Sequence, residues 1–139
     1  MSFVVLDTSI ASMMLDERPT LRLYLPWLIN NLAVLSFQTV AEMRLGANLA
    51  DWGERRLARV EQYFDDVLIQ QQDDKLILCW VQIMREARQA GRRLEPGDGW
   101  IAATALLLGA PLLTHDKDFD AQACPSITVI CHADQSPTP

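Results

Sequence analysis

The sequence predicts an α/β fold in which helices flank a central, mostly parallel sheet of four to five strands. Two observations carry this prediction. Short runs of uninterrupted apolar residues, beginning with Phe3-Val4-Val5-Leu6, recur along the chain and are typical of strands buried on both faces of a parallel sheet. Between these runs lie longer stretches whose apolar residues recur at helical spacing. A parallel sheet with intervening helices accommodates both kinds of segment.

Each strand is predicted from a short apolar run. The first covers residues 3–6 and the second covers residues 32–35. Residues 67–69 form either a short strand or a connection. A further strand lies in the segment 111–116, and residues 127–130 complete the sheet.

Helix signals in the first third of the chain follow the strands closely. Thr8 or Ser9 is predicted to cap a helix that runs to about Leu15. Pro19 starts a second helix, which the Asn-Asn pair ends. Ser36 is a plausible N-cap for a third helix after the second strand.

Three more helices are predicted in the rest of the chain. Residues 51–66 are charged, with apolar residues at helical spacing, and predict an amphipathic helix. Asp73 and its neighbour begin the next helix, which Gly91 ends. Asp98 then opens a nearly all-apolar helix stopped by Gly109, a composition that predicts burial on most sides.

Length and charge limit the classes of protein to consider. A chain of 139 residues fits one domain, predicted here at residues 1–133, and the polar, proline-containing residues 134–139 are predicted to be a disordered tail. The formal charge of −6 argues against nucleic-acid binding by bulk electrostatics. It leaves open an enzyme that meets phosphates through a bound metal.

Cysteine usage and hydropathy indicate a cytoplasmic protein with no membrane span. Cys79, Cys124 and Cys131 are odd in number and widely spaced, so neither a disulfide framework nor a zinc site is predicted. The apolar run at the N-terminus is too short for a signal peptide. No apolar stretch reaches the ~20 residues that span a bilayer.

Four acidic residues stand where such a fold can bring them together. Asp7 follows the first strand and Asp116 follows the strand in segment 111–116. Ligands bind outside the carboxyl ends of the strands in an open parallel sheet, so both residues point to one crevice. Glu42 in the third helix and Asp98 at the start of the apolar helix complete the set. Carboxylates this close repel one another unless a cation is shared, which suggests a divalent-metal site.

Each acid also has an ordinary interpretation. Asp7 and Asp98 both stand where an N-cap is expected, a role that does not exclude metal binding. Glu42 taken alone is a surface residue of a helix. Asp116 and Asp118 taken alone are turn residues, and for Asp118 we favour that interpretation.

In combination, the acids and their surroundings resemble the PIN-domain ribonucleases, and within them the VapC toxins of toxin-antitoxin modules. The likeness is carried by Asp7-Thr8-Ser9 after the first strand, by the isolated Glu42, and by the motifs GDGWIAATALLLGA and LLTHDKDF. It runs in order over residues 4–130. The resemblance implies an α/β/α sandwich with the mostly parallel sheet in the middle.

The resemblance also implies roles for particular residues. Asp7, Glu42, Asp98 and Asp116 become metal ligands and catalytic residues of an endoribonuclease that uses Mg²⁺, with Mn²⁺ as a substitute. The supporting residues implied are Ser9, Thr114 and Asp118. The loop leaves the fourth acid open between Asp116 and Asp118, and the pattern T-x-D-x-D-F favours Asp116.

A VapC-type toxin further implies an RNA substrate, a cognate antitoxin and a homodimer. Candidate RNA contacts near the acids are Arg44, Arg92, Arg93 and Lys117. The four tryptophans fall on helical stripes and are predicted to be core or interface residues, not a base-stacking platform, because no basic groove surrounds them in the sequence. His115 is predicted to be structural or exposed.

The alternative function is an acidic-pocket signalling or binding module, such as a phosphoacceptor receiver, that binds Mg²⁺ without nuclease activity. A receiver needs its acceptor aspartate after a middle strand. The strand at residues 32–35 ends instead at Ser36.

Overall fold

The computed structural model describes residues 2–135. Five strands form one sheet: β1 (Ser2–Leu6), β2 (Asn31–Ser36), β3 (Leu68–Gln70), β4 (Leu112–Thr114) and β5 (Val129–Cys131). The α-helices are α1 (Thr8–Leu15), α2 (Leu25–Leu28), α3 (Phe37–Leu49), α4 (Glu54–Asp65), α5 (Asp74–Gln89) and α6 (Pro96–Leu108). Short 3-10 helices cover Pro19–Tyr24 and Ala121–Ala123.

The sheet is entirely parallel, with the order β3-β2-β1-β4-β5. From β1 the chain adds strands on one side and later crosses to add β4 and β5 on the other. Leu6 pairs with Leu113, and the Asp7 N–H donates to the Leu113 carbonyl at 2.9 Å. The residues that follow β1 and β4 therefore meet at the point where the strand order reverses, which is where open α/β sheets bind ligands.

Two hydrophobic cores lie on opposite faces of the sheet. Val5, Val34 and Leu112 belong to the core that contains the buried faces of α5 and α6. Val4, Leu6, Leu35 and Leu113 belong to the other, with residues of α1, α3 and α4. Because neighbouring strand residues face opposite ways, continuous apolar runs fill both cores. The α/β/α arrangement confirms the predicted fold class.

The strand predictions agree with the structure, with small shifts in their ends. Residues 67–69 were ambiguous, and the structure has an edge strand there, Leu68–Gln70. The segment 111–116 shortens to Leu112–Thr114 because the chain turns away from the sheet at His115. The last strand covers Val129–Cys131, slightly later than the predicted 127–130.

Three helix boundaries differ from the predictions. The second predicted helix is a 3-10 helix followed by one α-turn, with Pro26 in that turn lacking an N–H to donate. The amphipathic helix begins at Glu54 and not at residue 51, because Asp51 has a φ of 53° that a helix excludes. The apolar helix begins at Pro96, so Asp98 is not its N-cap; Glu95 is. Proline is well suited to that first position.

Side-chain caps hold several helix starts in place. Ser36 Oγ accepts from the Gln38 N–H at 3.1 Å, as predicted, and Asp73 Oδ1 accepts from the Leu76 N–H at 2.8 Å. For α1 the sequence offered Thr8 or Ser9 as the cap, with Asp7 as an alternative, and the structure has Asp7. Gly109 ends α6 with a φ of 59°, which favours glycine.

The remaining predictions concern cysteines, hydropathy and the chain end. All three cysteines are free. Within residues 2–135 no helix has the length and apolar character needed to cross a bilayer. Of the predicted tail, Gln135 donates to the His132 carbonyl at 3.0 Å, and residues 136–139 lie outside the described part of the chain.

Candidate active site

Asp7 is a buried carboxylate at the carboxyl end of the central strand, with 6% of its surface exposed. Its Oδ1 accepts from the Thr8 N–H at 2.8 Å, and its Oδ2 accepts from Thr114 Oγ1 at 2.6 Å and Ser9 Oγ at 3.2 Å. Burial raises the pKa of Asp7, these three hydrogen bonds lower it, and the charge of Glu42 raises it further. Asp7 therefore both caps α1 and contributes its carboxylate to the site.

Two hydroxyl groups connect Asp7 to the loop that carries the last acid. Thr114 Oγ1 donates to Asp7 and accepts from the Asp116 N–H at 3.1 Å. Ser9 Oγ accepts from the His115 N–H at 2.9 Å. The structure therefore brings the two hydroxyl residues to the acids and uses both to hold the loop after β4 against the end of β1.

Tyr24 holds the far side of the same loop, a contribution that the sequence did not reveal. Its fully buried side chain donates to the Thr114 carbonyl at 2.9 Å and accepts from the His132 N–H at 2.9 Å. The hydroxyl also lies 2.6 Å from Nδ1 of His115. His115 therefore has a structural partner, in line with its prediction. A tyrosine within a leucine-rich segment gives no sequence signal for this role.

Glu42 reaches the site from the side of α3. Its Oε2 accepts from Thr8 Oγ1, and its Oε1 accepts from Gln38 Nε2 at 3.1 Å. Thr8 Oγ1 also lies 3.2 Å from Thr39 Oγ1. Sequence reasoning missed these three polar neighbours. Gln38 had a signal, since residues four apart on a helix are adjacent, and Thr8 was next to the first acid.

Asp98 is a half-buried carboxylate in the first turn of α6. Burial, followed by the charges of Asp7, Glu42 and Asp116 and a smaller contribution from Glu95, raises its pKa from 3.8 to about 6. The N-terminus of a helix favours the ionised form of a carboxyl group. In the structure, burial and neighbouring carboxylates outweigh that effect.

Asp116 and Asp118 are both exposed in the loop after β4, but they differ in their relation to the other acids. Asp116 acts on Asp98 electrostatically, whereas Asp118 is not among the groups that do. Asp116 Oδ1 accepts from the Asp118 N–H at 2.9 Å, a turn contact that fixes the loop. This geometry favours Asp116 as the fourth acid.

The structure thus joins the four acids electrostatically in one place, which we call the acidic crevice: Asp7, Glu42, Asp98 and Asp116. Within residues 2–135 no three His, Cys, Asp or Glu side chains are arranged to hold an ion as they stand. The carboxylates of Asp7 and Glu42 instead accept hydrogen bonds from protein hydroxyls, from the Thr8 backbone N–H and from the Gln38 side-chain amide. Oxygen donors with mutual repulsion are nonetheless the donor set that fits a hard divalent cation.

The four candidate RNA contacts divide into two pairs. Arg44 makes a bidentate pair with Glu61, at 2.7 and 3.1 Å, and Arg92 pairs with Asp120 at 3.0 and 3.1 Å. Arg93 is 92% exposed and has only a long contact, 3.8 Å, with Glu95. Lys117 is exposed in the loop after β4. The second pair is the more available to an external phosphate.

Comparison with known proteins shows the family to which this chain belongs. The model of the PIN domain matches residues 4–123. This chain belongs to the PIN-domain family. Ribonuclease VapC5 of Mycobacterium tuberculosis is 32% identical over 125 residues, which cover 84% of this chain and 85% of that protein. Toxin FitB of Neisseria gonorrhoeae is 31% identical over 121 residues, with coverage of 81% and 87%.

A solved structure extends the likeness to three dimensions. The structure of VapBC-1 from nontypeable Haemophilus influenzae matches with a TM-score of 0.77 and 25% identity, covering 93% of this PIN-domain chain and 97% of the matched chain. The resemblance stated from the motifs is therefore confirmed. The receiver-like alternative finds no support in these comparisons.

Proposed function

We propose that this PIN-domain chain is a metal-dependent endoribonuclease and the toxin of a VapBC-type pair. The name of VapC5 supports ribonuclease activity, FitB is named as a toxin, and the Haemophilus structure is that of a VapBC protein. The chain spans at least four fifths of each of these relatives, so the proposal draws on nearly the whole of each one.

One observation carries the catalytic part of this proposal. The fold brings three further acids, from the end of β1, from α3 and from the loop after β4, close enough to the half-buried carboxyl of Asp98 for their charges to raise its pKa. A fold gains nothing in stability from collecting like charges, so the cluster indicates a function. Hydrolysis of a phosphodiester with the help of divalent cations is the chemistry that fits it.

The residues of the crevice divide the work between holding and positioning. Asp7, Glu42, Asp98 and Asp116 would hold Mg²⁺, or Mn²⁺ as a substitute, through carboxylate oxygens. A divalent cation supplies Lewis acidity toward the phosphate and toward the attacking water. Thr114 and Ser9, which donate to Asp7, fix the orientation of its carboxylate.

Partners and setting follow from the same proposal. The substrate is RNA, the inhibitor is a cognate antitoxin protein, and the chain forms a homodimer. Residues 1–133 act as one domain in the cytoplasm, with Asp118 as a turn residue that supports the fourth acid. Three free thiols are compatible with a reducing compartment.

Cleavage of RNA by purified variants tests the proposal. Asp7→Asn and Asp98→Asn should each lower the rate at least ~1,000-fold, as expected when several kcal/mol of electrostatic stabilisation is lost. Chelation of Mg²⁺ by EDTA should do the same to the wild type. Asp65→Asn, a change of equal charge at an exposed position on α4, is the matched control and should cleave normally. Full cleavage by Asp98→Asn would refute the catalytic assignment.

A further inference from the structure

A pocket of about 610 Å³ opens where α5 ends and the chain turns toward α6. It is lined by an indole, a thioether and the residues of the turn, and we call it the arginine pocket: Trp80, Met84, Arg88, Gly91, Arg92 and Arg93. Three of its six residues are cationic, in a chain whose formal net charge is −6. Such a concentration of positive charge favours contact with an anionic ligand.

The three arginines differ in how firmly the protein holds them. Arg92 is fixed, since it pairs with Asp120 and also donates to Gln122. Arg93 makes only the loose contact with Glu95, and Arg88 has no ion pair among residues 2–135. The pocket therefore combines one cation that stabilises the turn with two that are available to a ligand.

An aromatic ring is fixed in place beside these cations. The Trp80 ring stacks on Trp100 with 4.9 Å between ring centroids and 19° between planes. Its Nε1 donates to the Pro96 carbonyl at 3.3 Å. Trp80 is only half-buried, so part of the ring faces the pocket. A rigid indole beside exposed arginines is how proteins contact the bases and phosphates of single-stranded nucleic acid.

The arginine pocket adjoins the acidic crevice through one residue. A Cβ on Gly99 would lie 2.5 Å from Met84 Sδ and 3.0 Å from Trp80 Nε1, so the backbone of α6 touches the pocket lining directly. Asp98 is the preceding residue. Trp80 Nε1 also donates to the Pro96 carbonyl in the same first turn of α6, so the turn that carries Asp98 borders the pocket lining.

We propose that the arginine pocket is a subsite for a nucleotide of single-stranded RNA that flanks the scissile phosphate. Trp80 and Met84 contact the base, and Arg88 and Arg93 contact phosphates. This inference rests on the proposed function and adds the location of one part of the substrate-binding surface. It also revises the interpretation of Trp80 from the sequence, which could not show that the turn after α5 surrounds the indole with arginines.

Binding of a fluorescein-labelled, short single-stranded RNA of mixed sequence tests the subsite. The full chain carrying Asp98→Asn keeps the RNA intact, and anisotropy gives the Kd over a range of salt concentrations. Adding Arg88→Ala and Arg93→Ala should weaken binding and reduce the slope of log K against log salt by about 1.4, or ~0.7 for each phosphate. The matched control, Arg22→Ala with Arg55→Ala, removes two exposed arginines outside the pocket and should leave the slope unchanged.

The base contact is tested by changing the RNA as well as the protein. In the protein that retains Trp80, removal of the base at one position of the probe should weaken binding roughly 5- to 150-fold. This corresponds to ~1–3 kcal/mol for one stacked base. In Trp80→Leu, whose folding is checked by thermal melting, the same removal should have no further effect. The effect of removing the base is compared between the two proteins. A general loss of affinity in Trp80→Leu would weaken binding of both RNAs equally and would not change that comparison.

Three results would overturn the subsite. One is RNA binding by the double arginine variant equal to that of its control. Another is equal sensitivity to base removal with and without Trp80. The third is normal RNA binding with altered self-association of the pocket variants in gel filtration, which would make the pocket a protein contact. Binding is measured without cleavage, so failure of the wild type to cut RNA would count against the proposed function alone.

Discussion

The acidic crevice and the arginine pocket are adjacent regions with opposite construction. The crevice gathers four acids from distant parts of the sequence, and hydroxyl and amide donors hold two of them in place. The arginine pocket comes from one continuous stretch, residues 80–93, and leaves Arg88 and Arg93 without close partners. The crevice holds like charges in a hydrogen-bonded arrangement, whereas the pocket presents exposed arginines beside a stacked ring.

This difference explains how an acidic protein can act on RNA. The phosphate that is cut must approach carboxylates, which is favourable only when a cation neutralises them. The neighbouring phosphates do not approach the carboxylates, so they need no bound cation and can be held by arginine. The first turn of α6 serves both regions, because it carries Asp98 and packs at Gly99 against Met84 and Trp80 of the pocket lining.

Removing one hydroxyl from the crevice should have the largest effect in the following series. Thr114→Val deletes the donor to Asp7 and the acceptor of the Asp116 N–H while conserving shape. We expect a fall in kcat of about 10- to 100-fold, the usual result of losing a group that orients a metal ligand. RNA affinity should change little, because the arginine pocket is untouched. Cleavage and anisotropy measurements on the same protein separate the two.

A matched control exists for that change. Thr104→Val also replaces a fully buried threonine, and its hydroxyl donates only to the Trp100 carbonyl within α6. It should lower stability by about 1 kcal/mol and leave kcat near the wild-type value. Equal losses of kcat in both variants would mean that buried hydroxyls support the fold and not the carboxylates.

Gly99→Ala should disturb both regions together, since Gly99 joins them. The new methyl group would overlap Met84 Sδ and press on Trp80 Nε1, so the Met84 side chain must shift and the packing of α5 on α6 is disturbed. We expect a loss of about 1–3 kcal/mol in the free energy of unfolding, with weaker RNA binding and slower cleavage. Gly46→Ala is the control, because a Cβ there meets nothing within 4 Å and alanine should stabilise α3 by about 1 kcal/mol. If Gly99→Ala changed RNA binding without changing cleavage, or the reverse, Gly99 would not connect the two regions.

The two regions also differ in how far the sequence predicted them. Asp7 and Asp116 were predicted from strand ends, because the carboxyl ends of parallel strands meet at one edge of the sheet. Glu42 and Asp98 were predicted from the order of the family's motifs. Ser9 and Thr114 were identified with them. Tyr24 was not, since its hydrogen bonds to the β4 and β5 ends depend on packing that no local pattern records.

The arginine pocket was only partly predictable. Arg92 and Arg93 were noted for their position before Asp98, yet their contacts differ sharply, since Asp120 holds Arg92 and Arg93 has only a long contact with Glu95. Trp80 was assigned to a helical stripe, which is correct for its stack on Trp100. That its other surroundings are cationic follows from the turn of the chain at Gly91, where φ is 69°, and not from spacing along a helix.

The smallest effect expected in this series concerns the stability of the crevice without metal. Since burial and neighbouring charges raise the pKa of Asp98 from 3.8 to about 6, the folded chain keeps a proton there that the unfolded chain releases as pH rises from about 4. Stability from this group is therefore present at low pH and is lost as pH rises through about 6. At pH 7.5 in EDTA, Asp98→Asn should unfold with a free energy about 1 kcal/mol higher than wild type, a value reduced because Asp98 remains partly in water.

The pH and metal dependence of that difference distinguish a charge effect from a packing effect. Urea unfolding at pH 4.5 should show the gain of Asp98→Asn reduced toward zero, since the wild-type carboxyl is then protonated. Asp65→Asn, at an exposed position, should stay within about 0.5 kcal/mol of wild type at both pH values. Saturating Mg²⁺ should stabilise the wild type more than Asp98→Asn. If Asp98→Asn were instead destabilising at pH 7.5, the four acids would not repel one another as this geometry requires. The crevice would then have no need of a cation, and its contrast with the arginine pocket would no longer hold.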